Sequence, residues 1–257
     1  KIVPIICYIY DIKCGYYMSN ETRSAILNFA EKHHDFNIDD LFESLSKSMD
    51  INRSSLLWHL FKLVNSNVLI RTGRGMYAKV RKPIFSPKPA DDIIEIFNLL
   101  QTNFPFAKFC IYQGEIISPL QHDLSSNRII YVETERDSAE AIFNFLKRES
   151  RPVFLRPGKD TVYRYVDMDS RTIFVKSLVS EAPLQEVSGI PMPTLEKLLV
   201  DILRDSDFFF LQGIESERII ENAFKMYPVN HSRLFRYSSR RKIKDELFSI
   251  LNNLNLI

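Results

Sequence analysis

Between Asp50 and Val80 the chain reads DINRSSLLWHLFKLVNSNVLIRTGRGMYAKV, a stretch compatible with few folds. Asp50 or Asn52 can accept hydrogen bonds from the free amides of a first helical turn. Leu57, Leu60, Phe61 and Val64 then recur at three- and four-residue spacing, the pattern of a helix with one apolar face. The other edge presents Ser55, His59, Lys62 and Ser66, with Arg53 and Ser54 at the start. Asn65-Ser66-Asn67 is a natural stop, Val68-Leu69-Ile70 reads as a strand and Met76-Tyr77-Ala78-Lys79-Val80 as its partner. Between them lies Arg71-Thr72-Gly73-Arg74-Gly75, whose glycines permit the positive backbone angles of a tight hairpin. A polar-edged helix followed by a basic hairpin is the pattern of a recognition helix and wing, so a winged helix-turn-helix that binds double-stranded DNA is expected. Its candidate contacts are Arg53, Ser54, Ser55, His59, Lys62, Arg71, Arg74 and Lys79.

Charge points the same way. From Ile51 to Ala90 there are eight Lys and Arg and no Asp or Glu, although the whole chain has a formal charge of only +2. A local cationic surface is what attraction to phosphates requires. The competing reading is a solvated hairpin on an ordinary globular domain.

At 257 residues and 45% hydrophobic composition the chain has material for about two cores. Its three cysteines, Cys7, Cys14 and Cys110, are scattered and suggest neither a disulfide framework nor a zinc site; a reducing cytoplasm fits best. Residues 1–17 are apolar and aromatic but interrupted by Asp11 and Lys13, too short for a bilayer span and poor as a signal peptide. They read either as a strap packed on a neighbouring domain or, the favoured reading, as sequence upstream of a natural start at Met18. A first helix capped by Ser19 or Asn20 runs to about His33, where the His33-His34 pair marks the helix end. A second opens at Asn37 or Asp39 with Ile38, Leu41, Phe42 and Leu45 as its stripe. The winged domain is expected over 18–82.

Pro83, Pro87 and Pro89 mark residues 83–90 as a linker. Beyond it, helices at 91–101 and 138–149 alternate with strands at 106–112, 129–133 and 153–155. Strands at 162–166 and 172–179 flank a turn at Asp167-Met168-Asp169-Ser170, and from Thr194 the chain is helical. The expectation is a mixed α+β chain: a winged helix-turn-helix, then an α/β domain over 91–257 with a C-terminal helical group.

Three segments in this order, VLIRTGRGMYA at 68–78, PTLEKLLVDIL at 193–203 and NHSRLFRYSSRR at 230–241, resemble the AbiEi antitoxin family, the regulator half of type IV toxin-antitoxin pairs. The correspondence rests on Arg71, Gly73, Arg74, Gly75 and Tyr77 in the wing and on Glu196, Lys197, Asp201, Arg236 and Tyr237 in the second domain. Residues 91–190 diverge. The resemblance implies a regulator that binds its own promoter through the winged helix and counters a nucleotidyltransferase-like toxin, or its RNA substrate, through the second domain. That domain is implied to be nucleotidyltransferase-related in fold without catalysis.

Read by themselves, Lys197 and Asp201 form an i,i+4 ion pair and Glu196 lies one residue off that row, so structure is favoured over catalysis there. Arg233, Arg236, Arg240 and Arg241 form a basic cluster among aromatics, the candidate partner surface, against a solvated helix face as the alternative. Asp167 and Asp169 would share a face if they lay on one strand and could then bind magnesium, but a turn is expected there. No catalytic residue, metal or cofactor is expected. The alternatives to a regulator are a nucleotidyltransferase-related enzyme with a DNA-binding appendage and a non-catalytic adaptor.

Overall fold

The computed structural model describes residues 20–66, 68–122, 127–149 and 152–257, so the reading of residues 1–17 lies outside the described residues. The fold is mixed α+β, in two compact units that divide between Pro83 and Ile84. No helix among the described residues is long and apolar enough to cross a membrane.

In the first unit α1 (Asn20–Lys32) leads to a short strand β1 (Asp35–Asn37) and directly into α2 (Ile38–Ser46). Asn37 ends the strand and caps the helix, its Oδ1 accepting from the Asp39 amide at 3.0 Å, while Asp39 and Asp40 complement the positive end of the helix dipole. Asn52 caps α3 (Arg53–Asn65) in the same way, accepting from the Ser55 amide at 2.8 Å. The hairpin β2 (Leu69–Gly73) and β3 (Met76–Lys79) turns through Gly75 at φ +75°. All three strands are antiparallel in the order β1-β3-β2, with Phe36 opposite Tyr77 and Ile70 opposite Ala78. Ile26, Leu41, Leu56, Leu60, Leu63 and Leu69 fill the core under this sheet.

The structure corrects half of the stripe expected on α3: Leu60 is buried and Val64 packs against the core, but Leu57 and Phe61 are exposed at 46% and 61%, and Leu56, His59 and Leu63 face the core in their place. Seven of the thirteen residues of α3 are large and apolar, so two stripes, 56/60/63 and 57/61/64, have equally good helical spacing. Packing chose the first. β1 went unforeseen because its three residues, Asp35-Phe36-Asn37, include only one apolar side chain.

The second unit begins inside the segment read as a linker, since Phe85 is buried and meets the Tyr227 ring edge-on at 5.3 Å. It continues through α4 (Asp91–Asn103), β4 (Phe109–Gln113), a 3-10 turn (Gly114–Leu120), β5 (Ile130–Thr134), α5 (Ala139–Arg148), β6 (Val153–Leu155), α6 (Lys159–Tyr165) and β7 (Ile173–Ser177). Sheet order is β4-β5-β7-β6, with β4 antiparallel and the other three mutually parallel, so Glu133 stands beside Lys176. A hairpin, β8 (Leu184–Val187) and β9 (Ile190–Pro193), precedes α7 (Leu195–Arg204). A second 3-10 segment (Ser206–Leu211) and helices α8 (Ile214–Met226), α9 (His231–Arg240) and α10 (Lys244–Asn253) complete it.

Residues 162–166, expected as a strand, belong mostly to α6. Tyr163 and Tyr165 are exposed at 78% and 71%, while Val162 is buried and its carbonyl accepts from the Val166 amide one helical turn on. The helix buries little but Val162.

The two stripes of α3 can be told apart by truncation. Leu60→Ala should lower the stability of the first unit by about 2–5 kcal/mol, and Phe61→Ala by less than about 1 kcal/mol. Urea unfolding followed by circular dichroism measures both.

Candidate functional site

The structure disperses the candidate DNA contacts of the first unit over distinct environments. Arg53 occupies the first turn of α3 and pairs with Asp39 of α2 at 2.6 Å, both side chains remaining more than half exposed. Ser54 is exposed and Ser55 half-buried. Lys62 lies over the Trp58 ring, 5.3 Å from its centroid. In the hairpin the Arg71 Nε donates to the Gly73 carbonyl at 3.1 Å, which stiffens the turn, and Arg74 is exposed at the tip. Lys79 is joined to Glu31 of α1.

His59 is the exception among these candidates. It is only 3% exposed, its Nδ1 finds no hydrogen-bond partner among the described residues, and burial lowers its pKa. The reason is the one-residue shift of the stripe, which turns position 59 inward. Because the folded state disfavours the protonated ring, the contribution of His59 to stability is present above its unfolded value of about 6.5 and is lost as pH falls below it. Stability of the first unit should therefore drop between pH 7 and pH 5, and His59→Leu should flatten that drop in chemical-denaturation curves measured at each pH.

In the second unit the charged residues converge. The Lys197 side chain is fully buried, with Nζ 2.7 Å from Glu133 Oε1 of β5 and 2.6 Å from Asp201 Oδ2 on its own helix. Tyr112 of β4 donates its hydroxyl to Glu133 at 3.0 Å, and Tyr237 of α9 donates to Asp201 at 2.9 Å. Arg241 reaches Asp201 at 3.4 Å and also pairs with Asp205. Asp205 in turn accepts from Lys176 of β7 at 2.6 Å, and Lys176 bonds Asp207 at 2.9 Å. Glu196 points away from this chain, toward the Asn230 amide at 2.9 Å and Arg233 at 3.4 Å. Next to the network lies a cleft of about 220 Å³, lined by Glu133, Arg156, Lys176, Asp201, Asp207 and Tyr237 among others.

Burial opposes charge on Lys197, but the Asp201 and Glu133 carboxylates outweigh it and hold the ammonium protonated well above its ordinary range. Burial pushes the Asp201 carboxyl up to about 6 against the pull of Lys197. Asp205, also opposed by burial, is held below its ordinary value by Lys176 and Arg241. The arrangement is thus a chain of alternating cations and carboxylates that ties two strands to α7 and α9.

A family model described as a family of unknown function, DUF6577, matches residues 55–257. The chain belongs to the DUF6577 family. No curated protein matches it. The match begins in α3, so in this DUF6577 chain it takes in the basic hairpin as well as the whole second unit.

Seen against this network, the arginine cluster near the C-terminus is not one surface. Arg241 is drawn among Asp201 and Asp205 with its side chain only 16% exposed, and Arg233 answers Glu196; Arg236 and Arg240 are exposed. Arg241 and Arg233 thus serve buried carboxylates, those of the network and of Glu196 respectively. Asp167 and Asp169 do not share a strand face: they sit in a turn after α6, where the Asp167 carboxylate accepts from the Asp169 amide at 3.0 Å. The i,i+4 pairing of Lys197 with Asp201 is present, and it lies inside the unit. Glu133, Lys176, Asp205, Asp207 and Tyr112 were not foreseen. The signal for Glu133 and Lys176 is a charged residue near the end of an otherwise apolar strand, in IYVET and IFVKS; Tyr112, Asp205 and Asp207 carry none.

Removing the central cation leaves Glu133 and Asp201 buried without it. Lys197→Met in this DUF6577 chain should therefore cost the second unit on the order of 3–5 kcal/mol, against about 1 kcal/mol for Tyr237→Phe, which removes one hydrogen bond. Equilibrium denaturation of the full chain, with the second unit followed by its tyrosine signals, measures the difference.

Proposed function

We propose that this chain is a DNA-binding transcriptional regulator acting in the cytoplasm, and that its first unit is a winged helix-turn-helix. The observation that supports this most is the element order α1-β1-α2-α3-β2-β3 with sheet order β1-β3-β2, combined with the absence of any Asp or Glu from Ile51 to Ala90. In that arrangement α3 is the recognition helix and the β2–β3 turn is the wing. All of the acidic residues of segment 20–83 lie before α3, so the surface offered to a phosphate backbone and the surface that would repel it come from different elements. Arg53 and Lys79 are then cations shared between DNA and the carboxylates Asp39 and Glu31.

The second unit we read as an interaction domain of the antitoxin type, directed at a nucleotidyltransferase-like toxin or its RNA substrate. Glu196, Lys197, Asp201 and Tyr237, four of the five positions on which the AbiEi resemblance rests there, are all partners in buried or part-buried contacts between α7 and the elements around it. That supports a shared framework, since residues that hold a fold together are expected to recur with it.

The affinity of the full chain for duplex DNA, measured by fluorescence anisotropy as salt is raised, tests the DNA-binding reading. The logarithm of affinity should fall steeply and linearly with the logarithm of salt concentration, and Arg71→Ala and Arg74→Ala should each flatten the slope by about one unit. Binding with an unchanged slope in both variants would remove the wing from the interface, and no binding at low salt would overturn the reading.

A further inference from the structure

The outward edge of α3 is not the polar edge that its sequence suggested. Residues along a helix advance by about 100°, so with Leu56, Leu60 and Leu63 inside, the opposite side is formed by Ser54, Trp58, Phe61 and Asn65, with Leu57 on its flank. Hydrogen-bonding side chains stand at its two ends and large apolar ones between. Leu57 and Phe61 are the two large hydrophobic residues exposed among the described residues of the first unit, and they lie one turn apart on this helix. Neither contributes to the core, and the two form an apolar spot within a segment whose charged residues are all cationic.

We propose that Leu57 and Phe61 read thymine methyl groups in the major groove, so that this helix recognises its site mainly by apolar contact. The inference rests on the DNA-binding reading above and names how that helix discriminates. Charge complementarity selects DNA as the occupant: the two residues belong to a segment with eight cations and no carboxylate, opened by Arg53 and followed by the Arg71 and Arg74 turn. The apolar feature that unmodified DNA displays in the major groove is the thymine C5-methyl group, and Phe side chains pack against it. Four residues of helix advance about 6 Å. Base pairs rise by about 3.4 Å, so the two side chains meet methyl groups about two steps apart. His59, the ring that the sequence offered for hydrogen bonding to base edges, is inside and unable to compete for that role.

The test uses the full chain and a duplex selected from a randomised library. Replacing the thymines of the selected site by deoxyuridine removes only the methyl groups. The dissociation constant should rise about fourfold for each methyl contacted, hence roughly fifteenfold for two. Leu57→Ala and Phe61→Ala, which keep the circular-dichroism spectrum because both positions are exposed, should each reduce that thymine-to-uracil difference about fourfold. Equal affinity for thymine and uracil duplexes overturns the methyl reading and leaves DNA binding standing. A chain that binds no duplex at any salt concentration overturns both. A dimer in sedimentation that Phe61→Ala converts to monomer, with the thymine-to-uracil difference intact, makes this edge a self-association surface and overturns the methyl reading.

Discussion

The Lys197 ammonium is the point on which the second unit turns. A fully buried cation is tolerable only where carboxylates meet it, and Glu133 from β5 and Asp201 from α7 do so at hydrogen-bond distance. Each carboxylate then creates a further demand. Asp201 draws in Tyr237 and Arg241 from the C-terminal helices, Arg241 recruits Asp205, and Asp205 shares Lys176 with Asp207. The sheet register that sets Glu133 beside Lys176 is therefore coupled to the position of α9. An apolar core would pack with comparable energy but could slide; a chain of paired charges has one register, because a slip leaves a charge unmatched.

The first unit handles charge in the opposite way. Its cations stay at the surface, and ion pairs that cross between its elements, such as Arg53 with Asp39 and Lys79 with Glu31, remain partly exposed. Such pairs hold little net stability. On the DNA-binding reading proposed above, a phosphate would take the place of the carboxylate in each pair. The apolar core of Leu41, Leu56, Leu60 and Leu69 supplies the rigidity instead.

How much of this was legible in the sequence depended on whether one pattern or two fitted the same residues. Helices α2 and α3 were placed by candidate caps, Asn37 or Asp39 and Asp50 or Asn52, and the structure uses Asn37 and Asn52, through local interactions between residues two or three apart. The face of α3 was misread, because seven large apolar residues crowd one helix and only tertiary packing chooses between stripes. Residues 162–166 are expected as a strand beside the turn at 167–170, whereas the chain there is helical, the Val166 amide donating to the Val162 carbonyl. The buried network joins residues as far apart as Glu133 and Lys197, or Lys176 and Asp207. Such pairings depend on topology, so only the i,i+4 pair of Lys197 with Asp201 could be read beforehand. The same topology explains Arg233 and Arg241, which local sequence presented as free positive charge.

The central claim, that α3 and the β2–β3 hairpin form a DNA-binding surface, is tested most directly by backbone amide hydrogen exchange of the full chain with and without duplex DNA at low salt. A DNA-binding surface there slows exchange at the first turns of α3 and across Arg71–Gly75, with little change over α1 and the acidic start of α2. Unchanged exchange over α3 and the hairpin in the presence of saturating duplex, or protection confined to the acidic helices, would contradict it.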